Sequence, residues 1–115
     1  MKYDLEERCG EFGEGIIRFC RLIKRDHLTL PLASQLVRSA TSIGANYMEA
    51  NQASSRKDFV NKIRLSQKEA NETKHWLRMI SVATPEHKEE CRTLWKEAHE
   101  LTLIFAKISK SSKSV

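Results

Sequence analysis

Leu5, Cys9, Phe12, Ile16, Phe19 and Ile23 recur at alternating spacings of four and three, the period of an amphipathic helix with one buried face. The pattern predicts a first helix over about 4–26. Gly10, Gly13 and Gly15 lie inside it, each costing up to about 1 kcal/mol relative to Ala, and their expected use is to let a neighbouring helix approach closely. His27-Leu-Thr-Leu-Pro31 interrupts the period, and Pro31 suits the first turn of a second helix over about 31–51. Leu32, Leu36, Ala40, Ile43 and Tyr47 form the apolar stripe of that helix. Ser55-Arg-Lys-Asp58 is a capping signal for a third helix over about 56–82, where Phe59, Ile63, Ser66, Ala70, Thr73, Leu77 and Ile80 hold the same rhythm. Lys62, Leu65, Glu69, Glu72, Trp76 and Met79 make a mixed stripe beside it. Thr84-Pro85-Glu86 reads as N-cap, first helical proline and first-turn acid of a fourth helix over about 85–109, marked by Cys91, Leu94, Ala98, Leu101, Phe105 and Ile108. Lys110-Ser-Ser-Lys-Ser-Val115 has no apolar period, so residues 110–115 are expected to be a basic flexible tail. Four long helices with short connections predict an all-α fold, an up-down-up-down four-helix bundle over residues 1–109.

Polar residues in the second helix fall where surface should be buried. Arg38, Ser42, Asn46 and Glu49 are spaced by four, four and three, a continuous stripe along one side. A solvated face is usually Lys- and Glu-rich, whereas Ser, Asn and Ala here point to a hydrogen-bonded contact with another helix. If helices two and three pair as an antiparallel hairpin about residues 53 and 54, Arg38 lies opposite Glu69 and Glu72, and Asn46 and Glu49 lie near Lys62. Arg38, Ser42, Asn46, Glu49, Lys62, Glu69 and Glu72 are thus the candidate structural network or interface. Truncating one partner would cost about 3 to 5 kcal/mol were the pair buried. The functional alternative is that Arg38 and Lys62 face a ligand or nucleic acid.

The chain has 115 residues, enough for one core but not two. No apolar run approaches the roughly 20 residues of a membrane span, and Met-Lys-Tyr-Asp-Leu-Glu-Glu lacks the apolar core of a secretory signal, so a cytoplasmic location is expected. Cys9 and Cys20 share a helix about 16 Å apart at 1.5 Å per residue, too far for a disulfide. The three cysteines are expected to be small buried thiols.

Net charge is +5, and its distribution matters more than its size. Residues 1–17 carry five acids against two bases, but Arg18, Arg21, Lys24 and Arg25 gather at the end of helix one and Lys107, Lys110 and Lys113 at the end of helix four. An up-down bundle sets these clusters at opposite poles. Arg56, Lys57, Arg64, Lys68, Lys74 and Arg78 on helix three could extend the basic surface. Cations at helix C-termini also oppose the macrodipole, worth about 0.3 to 1 kcal/mol each, which explains their placement without a partner. The functional reading is binding of RNA or DNA backbone with low sequence specificity and strong salt dependence.

Nearly the whole chain resembles the four-helix-bundle proteins of the bacterial 23S ribosomal RNA intervening sequence. The resemblance is carried by Asp4-Leu-Glu-Glu-Arg8 with Phe12, by Arg38-Ser39, Thr41-Ser-Ile-Gly-Ala-Asn-Tyr47 and Glu49-Ala50, and by Ser55, Lys57-Asp-Phe59, Lys62-Ile63, Lys68-Glu-Ala70, Glu72-Thr73 and Trp76-Leu77. It continues weakly through Lys96-Glu-Ala98 and Glu100-Leu101. What the resemblance implies is a small helical protein assembling with itself as a ring-like homopentamer. A related bundle is the basic accessory protein of diversity-generating retroelements, which implies a reverse transcriptase or another protein as a further partner.

Metal chemistry is the rival class. Glu72-Thr-Lys-His75 fits the Glu-x-x-His of di-iron bundles, but only one copy occurs, and His87 with Cys91 has no second pair to complete a tetrahedral set. Neither a Gly-rich phosphate loop nor a nucleophile elbow nor His-Glu-x-x-His is present. Trp76 and Trp95 are expected to be core or interface anchors. The sequence therefore predicts no catalysis, metal or cofactor. It predicts an oligomeric, nucleic-acid-associated scaffold or adaptor, with a protein–protein interaction scaffold as the alternative.

Overall fold

The computed structural model describes residues 4–113, with side chains up to Ser112. Four helices follow one another up and down: α1 (Leu5–Leu22), α2 (Thr29–Asn51), α3 (Arg56–Ala83) and α4 (Lys88–Lys113). A single turn of 3-10 helix, Pro85–His87, precedes α4. Among the described residues there is no strand, and no helix is long and apolar enough to cross a membrane.

Each apolar stripe turns inward. Ile16, Leu36, Ile43, Ile63, Leu77, Ile80, Leu101 and Phe105 are sealed from solvent, and each such side chain stabilises the fold by about 1.5 to 3 kcal/mol. Ala40, Ala70 and Ala98 lie between them, also fully buried, where a larger side chain would push the helices apart. The α2–α3 and α3–α4 pairs pack most extensively, α1 lies on α2, and α1 and α4 approach each other at only a few points. Gly13 and Gly44 mark the close approach of α1 to α2. A Cβ on Gly13 would lie 3.7 Å from Thr41 Cγ2, and one on Gly44 would lie 3.4 Å from Cys9 Cβ. Gly10 and Gly15 do not serve this purpose, since a Cβ there meets nothing within 4 Å.

The ends of the elements differ from expectation for local reasons. Asp4 caps α1 by accepting from the Glu7 amide at 3.0 Å. The helix then stops at Leu22, well before residue 26, because Asp26 and Thr29 organise the connection. Asp26 Oδ1 accepts from the amides of Leu28 and Thr29, each at 2.9 Å, while the Thr29 hydroxyl donates to the Lys24 carbonyl at 2.6 Å. These amide bonds, Thr29's above all, hold the Asp26 carboxyl below its ordinary pKa. α2 starts at Thr29, which places Pro31 in its first turn. Ser55 caps α3 by accepting from the Asp58 amide at 3.1 Å. Thr84 does not cap the next helix. Its hydroxyl and its amide both donate to the Ile80 carbonyl, at 2.9 and 2.8 Å, and so finish α3. The fourth helix runs on to Lys113 where a tail was expected from residue 110. Ser109 is buried, and Ser111 and Ser112 share a pocket with Arg56 and Phe59 at the start of α3, so the last turn is docked. The Lys113 side chain, Ser114 and Val115 of the expected tail lie outside the described residues.

Candidate nucleic-acid interface

The α2–α3 hairpin has the expected register. Arg38 Nη1 donates to Glu69 Oε1 at 3.2 Å, Nη2 donates to Glu72, and Nε donates to Gln35 at 3.0 Å. Trp76 Nε1 donates to the same Glu72 carboxylate at 2.9 Å, so that group is held from two helices. At the other end of the stripe, Lys62 donates to Glu49 at 2.8 Å, and this hydrogen bond, with the charge behind it, raises the Lys62 pKa. The middle of the stripe behaves differently. Ser42 donates to the Arg38 carbonyl at 2.7 Å and Asn46 to the Ser42 carbonyl at 3.0 Å, so both satisfy themselves on their own helix, and Asn46 does not reach Lys62. The Arg38 side chain is 44% exposed, with Glu69 and Glu72 at 18% and 31%. The pair is therefore a partly solvated one worth about 0.2 to 1 kcal/mol, not a buried one.

The buried polar seam consists of other residues. Ser39, Ser66 and Thr73 are fully inaccessible. Ser66 donates to the Ile43 carbonyl across the seam at 3.0 Å, and the Thr73 and Ser39 hydroxyl oxygens are 2.9 Å apart. Their signal in the sequence is small hydroxyl residues occupying positions of the apolar rhythm. A second missed contact joins α1 to α4: Arg8 holds Glu97 with two hydrogen bonds.

Basic residues divide by location. Arg18 and Arg21 project from the last turns of α1, and Lys24 and Arg25 lie in the connection beyond it, all exposed. Lys107 and Lys110 are exposed at the opposite pole, beside the start of α3. Between the poles runs a face of α3 on which every exposed charged side chain is a cation: Arg56, Lys57, Arg64, Lys68 and Arg78. The helix's acids, Asp58, Glu69 and Glu72, are only partly exposed, and Glu69 and Glu72 are engaged by Arg38. Lys57, Asn61, Arg64, Lys68, Asn71, His75 and Arg78 are spaced by four and three and are all exposed, making one stripe about 32 Å long at 1.5 Å per residue. Lys74 is not on it. Its ammonium donates to His99 Nδ1 at 3.1 Å and lies over the Trp95 ring.

Among the described residues, no group of three or more His, Cys, Asp or Glu side chains converges as metal ligands would. Glu72 is occupied by Arg38 and Trp76, while the His75 ring meets the Trp76 ring edge-on. His87 meets Glu90 at 3.0 Å and the Phe19 ring edge-on. The cysteines are free thiols. Burial pushes Cys9 up to about 12, against the opposing effect of Arg8, and pushes Cys20 and Cys91 to about 11. Thiols so protonated are poor nucleophiles.

Comparison with known proteins adds to this geometry. A family model described as 23S rRNA-intervening sequence protein matches residues 2–107. The fold is similar to a crystal structure of a protein of unknown function from the S23 ribosomal protein family of Bacteroides thetaiotaomicron. The two are 32% identical, with a TM-score of 0.85 over 93% of this chain and 99% of that one. No curated protein matches the chain.

Proposed function

The chain belongs to the 23S rRNA-intervening sequence protein family, and from that premise we propose that it is a non-catalytic scaffold that assembles with copies of itself and binds nucleic acid through its phosphates. The observation that carries this reading is the acid-free outer face of α3. A single-sign stripe of that length raises the local concentration of a polyanion and releases counterions when phosphates replace them. Most of the stripe's charged side chains are lysines and arginines suited to phosphate, and phosphate contacts carry no sequence information, so the binding would be of low sequence specificity. Assembly as a homopentamer, which the family resemblance implies, would repeat the stripe around a ring and multiply weak contacts.

Electrophoretic mobility shift on RNA and DNA at graded salt tests the binding. Retardation at low salt that fades steeply as salt rises supports it, and no retardation at low salt removes it. Light scattering tests the assembly, where five times the 13.3 kDa chain mass is expected and a monomer mass removes the ring.

One observation favours a second reading, a protein–protein interaction scaffold. Leu22, Leu28 and Leu30 around the α1–α2 connection, together with Val82 near the end of α3, are 54% to 74% exposed at one pole. Apolar side chains so gathered fit a protein surface better than a phosphate backbone. Mobility shift separates the two readings directly.

A further inference from the structure

Between the C-terminal half of α3 and the N-terminal half of α4 lies a groove of about 330 Å³, near the lower end of ligand-site volumes. Trp95 is its exposed apolar wall, the nearly buried Leu77 and Cys91 lie at its floor, and Arg78, Lys88, Arg92 and Lys96 surround it. No acid lines it. Arg92 has a loose, exposed partner in Glu89 at 3.6 Å, and among the described residues no ion pair engages Arg78, Lys88 or Lys96.

Helix electrostatics does not account for this cluster. Lys88 opens α4, and Arg92 follows one turn later, near the positive end of the macrodipole, where cations are disfavoured. Trp95 is also unlike Trp76. The latter packs on the core and donates to Glu72, whereas Trp95 is 38% exposed. One face of the Trp95 indole is covered by the stacked His99 ring, with centroids 5.1 Å apart and planes 13° apart. Lys74 Nζ lies 5.2 Å from the indole centroid and only 3.1 Å from His99 Nδ1, which sets both groups on that same face. Trp95 lines the groove, and among the described residues no ring is stacked on its other face.

We propose that this groove holds single-stranded nucleic acid, with one base stacked on the open face of Trp95 and the flanking phosphates held by Arg78, Lys88, Arg92 and Lys96. An aromatic platform in a groove lined by cations and no acid matches a strand whose bases are unpaired, because a duplex keeps its base faces inside its own stack. Arg78 is also the last residue of the α3 stripe, so the groove continues that stripe around to α4. The inference rests on the nucleic-acid reading above and narrows it to one strand state and one site.

The test is fluorescence anisotropy of the full chain with labelled oligouridylate and with labelled duplex RNA, at low and graded salt, for the wild type and Trp95→Ala. The variant is expected to lose about tenfold or more in affinity for the single strand and less than about twofold for the duplex. Indole emission gives a second readout that does not depend on the variant: oligouridylate should quench the wild type, and inorganic phosphate should not. If the wild type binds both probes but Trp95→Ala binds oligouridylate equally well, or emission is unchanged at saturation, the groove assignment is overturned while the nucleic-acid reading stands. If the wild type binds neither probe at low salt, the nucleic-acid reading itself fails.

Discussion

Arg8 on α1 and Glu97 on α4 form a two-pronged ion pair, Nε to Oε2 at 2.6 Å and Nη2 to Oε1 at 2.7 Å, across the most open contact between neighbouring helices. Both side chains are about one-third exposed, at 29% and 32%, so solvent screens the pair. Its planar fork nonetheless fixes how α1 lies against α4. Glu97→Gln is expected to cost about 1 kcal/mol in denaturant unfolding, the upper end for an exposed pair, and to speed amide exchange in α1 more than in α3.

The two kinds of polar contact between α2 and α3 should respond differently. Arg38→Ala is expected to cost no more than about 1 kcal/mol, and raised salt should shrink that difference. Thr73→Val removes a fully buried hydroxyl that faces Ser39, and is expected to cost about 1 kcal/mol with no salt dependence. Chemical denaturation at two ionic strengths separates the pair.

Glycines inside the helices should also separate. Gly10→Ala and Gly15→Ala place a methyl in open space and are each expected to stabilise the protein by up to about 1 kcal/mol through helix propensity. Gly44→Ala puts its methyl against the Cys9 side chain and should gain less. Melting temperatures of the three variants test the ranking.

The buried thiols predict a pH dependence. Their folded pKa values lie above the ordinary 9.0, so the folded state keeps its protons after the unfolded chain has released them. The stability they contribute is whole below pH 9 and declines as pH rises toward about 11 and 12. Cys9→Ala should therefore flatten the loss of stability between pH 9 and 11, read as denaturation midpoints against pH.

Charge reversal on α3 bears on binding. Arg64→Glu and Lys68→Glu are each expected to weaken RNA and DNA binding alike and to lower the salt slope by about 1 or more, as phosphate contacts would. A loss confined to one sequence would contradict the backbone-contact reading.

Most of the fold was legible because the four-and-three rhythm of each apolar stripe is a direct image of its buried face, and the α2–α3 register followed from one turn position. The pairing of Arg38 with Glu69 and Glu72 came from that register alone. The α1–α4 contact was not legible, since Arg8 and Glu97 belong to the first and last helices and no short connection fixes their register. Element ends were read least well. Asp26 and Thr84 make side-chain bonds that compete with continuation or capping, and sequence spacing does not say which carbonyl or amide a short polar side chain chooses. Trp95 was read as an anchor because its helical position is shared with packed residues.

The loose seating of α1 has a consequence for how the molecule comes apart. α2, α3 and α4 share the extensive contacts, whereas α1 relies on α2, one forked ion pair and scattered side-chain meetings such as Phe19 with His87. The N-terminal helix is therefore the segment expected to detach first under mild stress, leaving a three-helix remnant whose share of the common core is newly wetted and prone to seek another chain.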